Sequence, residues 1–169
     1  MSSEPAEGLS EALTSDVFRR ACGRFATGVT IASVMDGAGT PHGLTVSSFT
    51  SVSLDPPLIL ICIGHQVTMI ESFRAATHFG ISVLSDEQRD LSESFARKGH
   101  DRFNGVKWHC GRSGVPLLEG ALAAIECRVY QRFLSGDHDI LVGLMLHAEI
   151  AEGTPLIYFA SRYRTLAGE

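Results

Sequence analysis

The stretch Gly43-Leu44-Thr45-Val46-Ser47-Ser48-Phe49-Thr50-Ser51-Val52-Ser53-Leu54-Asp55-Pro56-Pro57, followed at once by Leu58-Ile59-Leu60-Ile61-Cys62-Ile63, decides the architecture. Its first half alternates, with Leu44, Val46 and Ser48 to one side and Thr45, Ser47 and Phe49 to the other, the period-2 pattern of a strand. Ser47, Ser48, Thr50, Ser51 and Ser53 then crowd hydroxyls into a short span before Asp55-Pro56-Pro57 forces a turn. Such a strand is either the wet face of a sheet edge or a surface against which a flat ligand lies, its rim bonded by hydroxyls and backbone N–H groups. Residues 58–63 are continuously apolar and predict a strand buried on both faces. They run into Gly64-His65-Gln66-Val67-Thr68, where Thr68 and Glu71 fit a capping box and open a predicted helix over 69–75. Strand, Gly-led turn and helix start together predict a pocket of backbone N–H groups suited to a phosphate.

The totals narrow the function classes. A chain of 169 residues is expected to form one domain, with residues 1–14 as a mobile, acidic, small-residue-rich tail and 15–169 as the folded unit. Charged residues are 20% of the chain against a typical ~25%, and mean hydropathy is +0.12, which favours extra burial around a cofactor or in a homodimer interface. The net charge of −5 and the absence of a basic stripe argue against nucleic acid, and no apolar run approaches the ~20 residues a membrane span needs. The tail has no signal-peptide pattern, so the expected setting is the cytoplasm. Cys22, Cys62, Cys110 and Cys127 form no C-x-x-C and are expected to be free, mostly buried thiols. The 7 histidines are dispersed, and no metal is expected.

Outward from the central stretch, Val17, Phe18, Ala21, Cys22 and Phe25 make a helical stripe, residues 29–35 predict a strand, and Asp36-Gly37-Ala38-Gly39 a hairpin turn leading back through 42–49. The glycines there follow no strand-to-helix crossover and are not a dinucleotide fingerprint. Residues 78–84 predict a strand, and Ser85 with Gln88 a second capping box opening a helix through Leu91 and Phe95 that Lys98-Gly99 stops. Residues 100–114, with Asp101-Arg102-Phe103 and Trp108, are the least patterned. Two long alternating runs, 121–134 and 140–150, are joined by the polar tip Ser135-Gly136-Asp137-His138-Asp139, and 155–160 adds a terminal strand. Antiparallel strands, few short helices and no β-α-β rhythm predict a mainly β fold, a closed or partly closed barrel with helices appended. No Ser lies in a G-x-S-x-G, which argues against a serine hydrolase.

Residues 43–60, preceded by Ala26-Thr27-Gly28-Val29-Thr30, are followed in order by His78-Phe79-Gly80-Ile81-Ser82-Val83-Leu84, Gly114-Val115-Pro116-Leu117-Leu118, Ile125-Glu126-Cys127, Gly136-Asp137-His138 and Pro155-Leu156-Ile157-Tyr158-Phe159. This series resembles the short-chain flavin reductases, the small partners of two-component flavin-dependent monooxygenases, over residues 17–163. The resemblance implies an antiparallel split β-barrel of Greek-key type that binds FMN or FAD near the interface of a homodimer. It implies hydride transfer from NADH or NADPH to the flavin, with release of reduced flavin to a separate monooxygenase. That chemistry needs the two rings stacked and shielded from water, not a protein nucleophile.

The family's site residues carry over by resemblance. Thr45, Val46, Ser47 and Ser48 are expected along the isoalloxazine, Thr27 and Gly28 facing it, and Thr68 near the phosphate, with Ser51, Cys62, Gly64 and Phe103 completing the cofactor set. His138, the expected catalytic residue, is placed by the nicotinamide, to bond its carboxamide or supply a proton, with Tyr163 as a second nicotinamide contact. Ser82 stands where the family often has Asn, and His65-Gln66 replaces a Ser-rich turn, which leaves FMN versus FAD open. Two rival classes fit the same fold: a flavin carrier without turnover, and a flavoprotein that retains its flavin and reduces a metal complex or small organic substrate.

Overall fold

The computed structural model of the protein describes residues 13–99 and 101–166, so the expected tail lies, apart from Leu13 and Thr14, outside the described residues. Thr14 caps the first helix, α1 (Ser15–Cys22), its hydroxyl accepting from the Val17 N–H at 3.3 Å. The predicted apolar stripe exists but buries nothing in this chain: Phe18 and Phe25 are 59% and 77% exposed. The strand expected over 29–35 forms as β2 (Thr30–Met35) and is preceded by a separate short strand, β1 (Thr27–Gly28). β1 pairs away with β11 (Ile157–Phe159), which continues to β12 (Arg162–Arg164), while β2 enters the main sheet.

That sheet has seven strands, all antiparallel, in the order β3 (Pro41–Val46), β2, β6 (His78–Val83), β9 (Ala123–Ser135), β10 (His138–Ile150), β5 (Pro57–Gly64), β4 (Thr50–Leu54). Its two edges, β3 and β4, are consecutive in the chain and joined only by Ser47, Ser48 and Phe49. The four Cα steps from Val46 to Thr50 reach at most about 15 Å, so the sheet must roll until its edges meet. They meet without pairing: no ladder joins β3 to β4 or β5 among the described residues. The Ser48 hydroxyl spans the seam instead, accepting from the Cys62 N–H at 2.9 Å and donating to the Cys62 carbonyl at 3.2 Å. The result is a mainly β, split-barrel architecture.

The barrel interior holds Ile59, Ile61 and Ile63 of β5, Phe79 and Ile81 of β6, Leu44 and Val46 of β3, and Ile125 and Cys127 of β9. Met69 and α2 (Ile70–Ala75), through Ile70 and Phe73, pack against this cluster. β5 is not buried on both faces, as its apolar run predicted. Only Ile59, Ile61 and Ile63 are buried, whereas Leu58, Leu60, Cys62 and Gly64 are half-exposed because that face borders the seam. Nor are the thiols mostly buried: Cys22 and Cys110 are exposed, Cys62 is intermediate, and only Cys127 is enclosed, where burial pushes its thiol up to about 12.

The Ser85–Gln88 capping box forms as expected, the Ser85 N–H donating to Gln88 Oε1 at 3.2 Å, and leads into α3 (Arg89–Ala96). α3 packs on β3 by setting Phe95 over Gly43, where an added Cβ would lie 2.8 Å from Phe95 Cε1. A second core, of Val29, Ile31, Leu84, Phe95, Phe103, Leu118 and Leu156, receives the Phe95 ring. The least patterned segment carries β7 (Trp108–Cys110), which pairs with β8 (Pro116–Leu118) just beyond it in a two-stranded sheet separate from the barrel sheet. The β9–β10 tip is shorter than expected: Gly136-Asp137 alone makes the turn, with Gly136 at φ 62°, and His138 already pairs with Ser135 as the first residue of β10.

Gly43→Val should lower stability by about 1–3 kcal/mol through overpacking of Phe95. Thermal unfolding checks this; an unchanged midpoint would mean that α3 is not seated by that contact.

Candidate active site at the barrel seam

The seam opens into a cavity of about 420 Å3. β3 and its continuation line it with Leu44, Thr45, Val46, Ser47 and Ser48, β5 with Cys62 and Gly64, the following turn with Gln66 and Val67, the segment after α3 with Lys98, and β10 with His138. Seven of the residues expected by resemblance (Thr45, Val46, Ser47, Ser48, Cys62, Gly64, His138) therefore meet in one place. Apolar side chains and small polar groups around a concave space of this size suit a ring system with a polar rim.

The hydroxyls are more committed to the fold than the sequence suggests. Ser48 spends its hydroxyl on Cys62, and Thr45 Oγ1 donates to the Ser92 carbonyl at 2.7 Å, anchoring β3 to α3. Ser47 is exposed and its side chain bonds no other group among the described residues. Of the three, it alone keeps its donor for something else.

His138 is the ladder partner of Gly64, and a Cβ added at Gly64 would lie 3.4 Å from His138 Nε2. Glycine keeps this space open. His138 Nδ1 lies 2.6 Å from Asp137 Oδ1, and that bond is the main reason the Asp137 carboxyl sits below its ordinary range. An ionised carboxylate only accepts, so Nδ1 carries the proton and Nε2 is the nitrogen presented beside Gly64.

The turn that walls the cavity is held by a buried acid. Asp139 accepts from Arg74 Nε at 2.8 Å and Nη2 at 3.2 Å, and lies 2.7 Å from His65 Nε2. The His65 N–H also donates to the Asp137 carbonyl at 2.9 Å. Arg74 first, then His65, hold the Asp139 carboxyl below its usual value although burial opposes this. These bonds fix the 64–68 turn against the start of β10, beside His138.

Other expected residues lie elsewhere. Thr68 does not cap a helix: α2 starts at Ile70 with Met69 as its cap and no side-chain cap bond. Within the expected pocket of N–H groups, those of Val67 and Ile70 are taken, donating to the Gly64 and Val67 carbonyls at 3.2 and 3.1 Å. Thr68 instead lines a neighbouring hollow with Met69, Ser72 and Arg102. Tyr163 lines a separate cleft of about 150 Å3 with Val29, Thr45, Ser47, Ser92 and Tyr158, its hydroxyl 2.8 Å from Ser92 Oγ. Thr45 and Ser47 thus border both spaces. Thr27 and Gly28 sit in β1 and line neither space, although the adjoining Val29 borders the cleft. Ser51 is exposed on β4 away from the cavity, and Phe103 is buried, its ring centroid 5.0 Å from Phe95 and 5.6 Å from Trp108.

Leu44, Gln66, Val67 and Lys98 lie outside the expected set. Lys98 reads in sequence as part of a helix stop, and only the folding of α3 onto β3 turns it toward the cavity. Among the described residues it forms no ion pair.

Residues 22–167 match the family model described as flavin reductase like domain. The chain belongs to that family. It is 43% identical over 164 residues to a probable flavin reductase of Rhizobium meliloti, covering 93% of this chain but 53% of that protein, so it spans about half the length of this relative. It is 35% identical over 157 residues to the reductase component of a 4-nitrophenol 4-monooxygenase/4-nitrocatechol 2-monooxygenase of Rhodococcus opacus, covering 93% and 84% of the two chains. The solved NADH:FAD oxidoreductase of Streptomyces globisporus, in complex with NAD and FAD fragments, superposes with a TM-score of 0.85 at 37% identity, covering 90% of this chain and 93% of that one. Shared family membership and the matching fold of this flavin reductase agree with the split-barrel architecture described above.

Asp139→Asn should cost about 2 kcal/mol by weakening charge-assisted bonds to Arg74 and His65. Because the folded-state carboxyl is depressed, its contribution is full above the unfolded value of about 3.9 and is lost as pH falls through the folded one. Denaturant unfolding of the two proteins at pH 7 and pH 3 checks this. The gap should narrow at the acid end, and a gap independent of pH would contradict it.

Proposed function

We propose that this chain is an NADH-dependent flavin reductase whose residues 15–169 form one reductase domain, and that the seam cavity is its flavin site. The observation that carries the reading is the convergence of Thr45 to Ser48, Cys62, Gly64 and His138 on one cavity. A bound flavin would supply an acceptor for the hydride, two electrons and a hydrogen nucleus, that leaves the reduced nicotinamide as its oxidised form. The residues present fit such a ring: Leu44, Val46 and Val67 provide apolar wall, Ser47 a free hydroxyl, and Gly64 the absence of a side chain.

The chain's part is positioning. β3 and β5, tied by Ser48, set the walls, and the Asp139–His65–Arg74 bonds hold the turn that completes them. His138 presents Nε2 to the cavity, where it accepts a bond from a carboxamide N–H or, when protonated, donates. Thr68, Phe103 and Tyr163, which line the adjoining hollows and cleft, belong to this reading as outer contacts of flavin or nicotinamide, and Thr27, Gly28 and Ser51, which line none of these spaces, enter it through the family resemblance alone.

Delivery of reduced flavin to a separate monooxygenase is supported by the relative named as a reductase component. A homodimer is supported by apolar side chains left outside both cores, among them Phe18, Phe25, Phe133, Leu134 and Ile150. No helix among the described residues is long and apolar enough to cross a membrane. A cytoplasmic setting follows from the donor, an intracellular nucleotide.

Loss of NADH absorbance in air, with FMN, with FAD and with no added flavin, tests the central reading. Turnover that depends on added flavin is expected; flavin binding without turnover would favour a carrier, and turnover without added flavin a retained cofactor. Ser47→Tyr should weaken flavin binding at least about tenfold by filling the cavity, a loss of about 1.4 kcal/mol. Undiminished affinity would place the flavin elsewhere. His138→Ala should raise the KM for NADH about tenfold, as loss of one good hydrogen bond does, with flavin affinity kept. Unchanged NADH kinetics would remove His138 from the site.

A further inference from the structure

One face of the β9–β10 hairpin borders the seam cavity; the other holds α2. The register from His138 to Val142 is unbroken, so side chains alternate between the two faces. His138 and Ile140 pair with Gly64 and Cys62, and His138 lines the cavity together with those two partners. Asp139 and Leu141 pair instead with Ile63 and Ile61 of the barrel interior, and Arg132 of β9 is in turn the partner of Leu141. The interior face of the hairpin therefore carries an acid and an arginine beside the cluster that Ile70 and Phe73 of α2 enter.

Both charged groups reach α2. Arg74 bonds Asp139 side-on, through Nε at 2.8 Å and Nη2 at 3.2 Å, while its Nη1 donates to Glu71 at 3.0 Å. Arg132 comes from the opposite strand, and its Nη2 donates to the Phe73 carbonyl at 3.1 Å and to the Ala76 carbonyl. These carbonyls belong to the last turn of the helix and its cap, where internal donors run out and a cation is favoured. A helix of 6 residues has little stability of its own. Two arginines running in opposite directions, one from α2 to β10 and one from β9 to α2, fasten it to both strands of the hairpin.

The consequence falls on the cavity face. His138 is the last rung of the ladder to β5, and end rungs open more readily than the middle of a ladder. Beyond it the hairpin has only the Gly136-Asp137 turn, and Phe133 and Leu134 near the tip are exposed, so the tip draws little support from its own packing. Asp139, the next residue, is buried and clamped on the interior side, which fixes the peptide from which the imidazole projects on the other.

We infer that Arg132, with Arg74, is a positioning residue for the nicotinamide: by fastening α2 to the hairpin the two arginines hold the end rung of β10, and so the place of His138 Nε2 in the cavity. The inference rests on the nicotinamide role proposed for His138. Residues 44–48 and Cys62, tied through Ser48, form their part of the cavity wall without either arginine.

A double-mutant cycle of Arg132→Met and His138→Ala tests this, with NADH and flavin varied in turn. Arg132→Met is expected to raise the KM for NADH about three- to tenfold while kcat and flavin affinity are kept. In the His138→Ala protein it should add nothing further, because its effect runs through an imidazole no longer there. Arg74→Gln, the other half of the clamp, should behave alike and carries the test where Arg132→Met does not fold. An equal rise in KM in both backgrounds, an unchanged KM in both arginine variants, or a matching loss of flavin affinity would overturn the inference and leave the flavin reductase reading standing. Unchanged NADH kinetics in His138→Ala itself would overturn the role of His138 and this inference together.

Discussion

Three residues join the opposite edges of a seven-stranded sheet, and the rest of the molecule follows from that constraint. β3 and β4 lie at the two ends of the strand order, yet Ser47, Ser48 and Phe49 are all the chain between them. The sheet rolls to satisfy the tether, and the roll creates both an enclosed apolar core and a seam where ladder bonding is missing. Buried or half-buried backbone at such a seam needs partners. Ser48 supplies them to Cys62, and does so with one small side chain, so that the strands are tied but not zipped.

An incompletely paired seam is also a place for a ligand. Closing it with a full ladder would bring β3 against β5 and erase the cavity. Keeping it open costs hydrogen bonds, and the molecule compensates around the rim. Thr45 bonds the backbone of α3, Asp139 draws Arg74 and His65 together under the 64–68 turn, and Gly64 leaves room for the His138 imidazole. Rigidity at the rim and vacancy at its centre suit hydride transfer, in which geometry and exclusion of water matter more than a strong nucleophile.

The outer surfaces carry a second burden. α1 buries none of its residues, and the β9–β10 hairpin exposes Tyr130, Phe133 and Leu134 toward its tip and Ile150 at its other end. Two register shifts interrupt the ladder of that hairpin, at Val142/Gly143 and Met145/His147. The proposed homodimer would cover surface of this kind. Below-average charge and positive mean hydropathy in the sequence reflect it as much as they reflect the core.

Periodicity and turn chemistry were enough to find most of the strands and the helices, because each depends on neighbours a few residues away: the alternation of β3, the Asp36 turn, the Ser85–Gln88 cap. The motif order over nearly the whole chain was enough for the family and for seven of the cavity residues. The Thr68 cap failed although its local pattern was right, because the preceding turn already uses the N–H groups a cap would serve and the helix starts later. Lys98 was invisible as a site residue, since a cation after a helix reads the same whether it ends in water or against a cavity. What the sequence determined alone was the set of elements and the family; what the tertiary structure decided was which hydroxyls were already spent, which face of β5 stayed open, and where an unpaired cation was buried. Those depend on contacts between residues far apart in the chain, such as Ser48 with Cys62 and Arg102 with Gly43, and local pattern carries no information about distance in space.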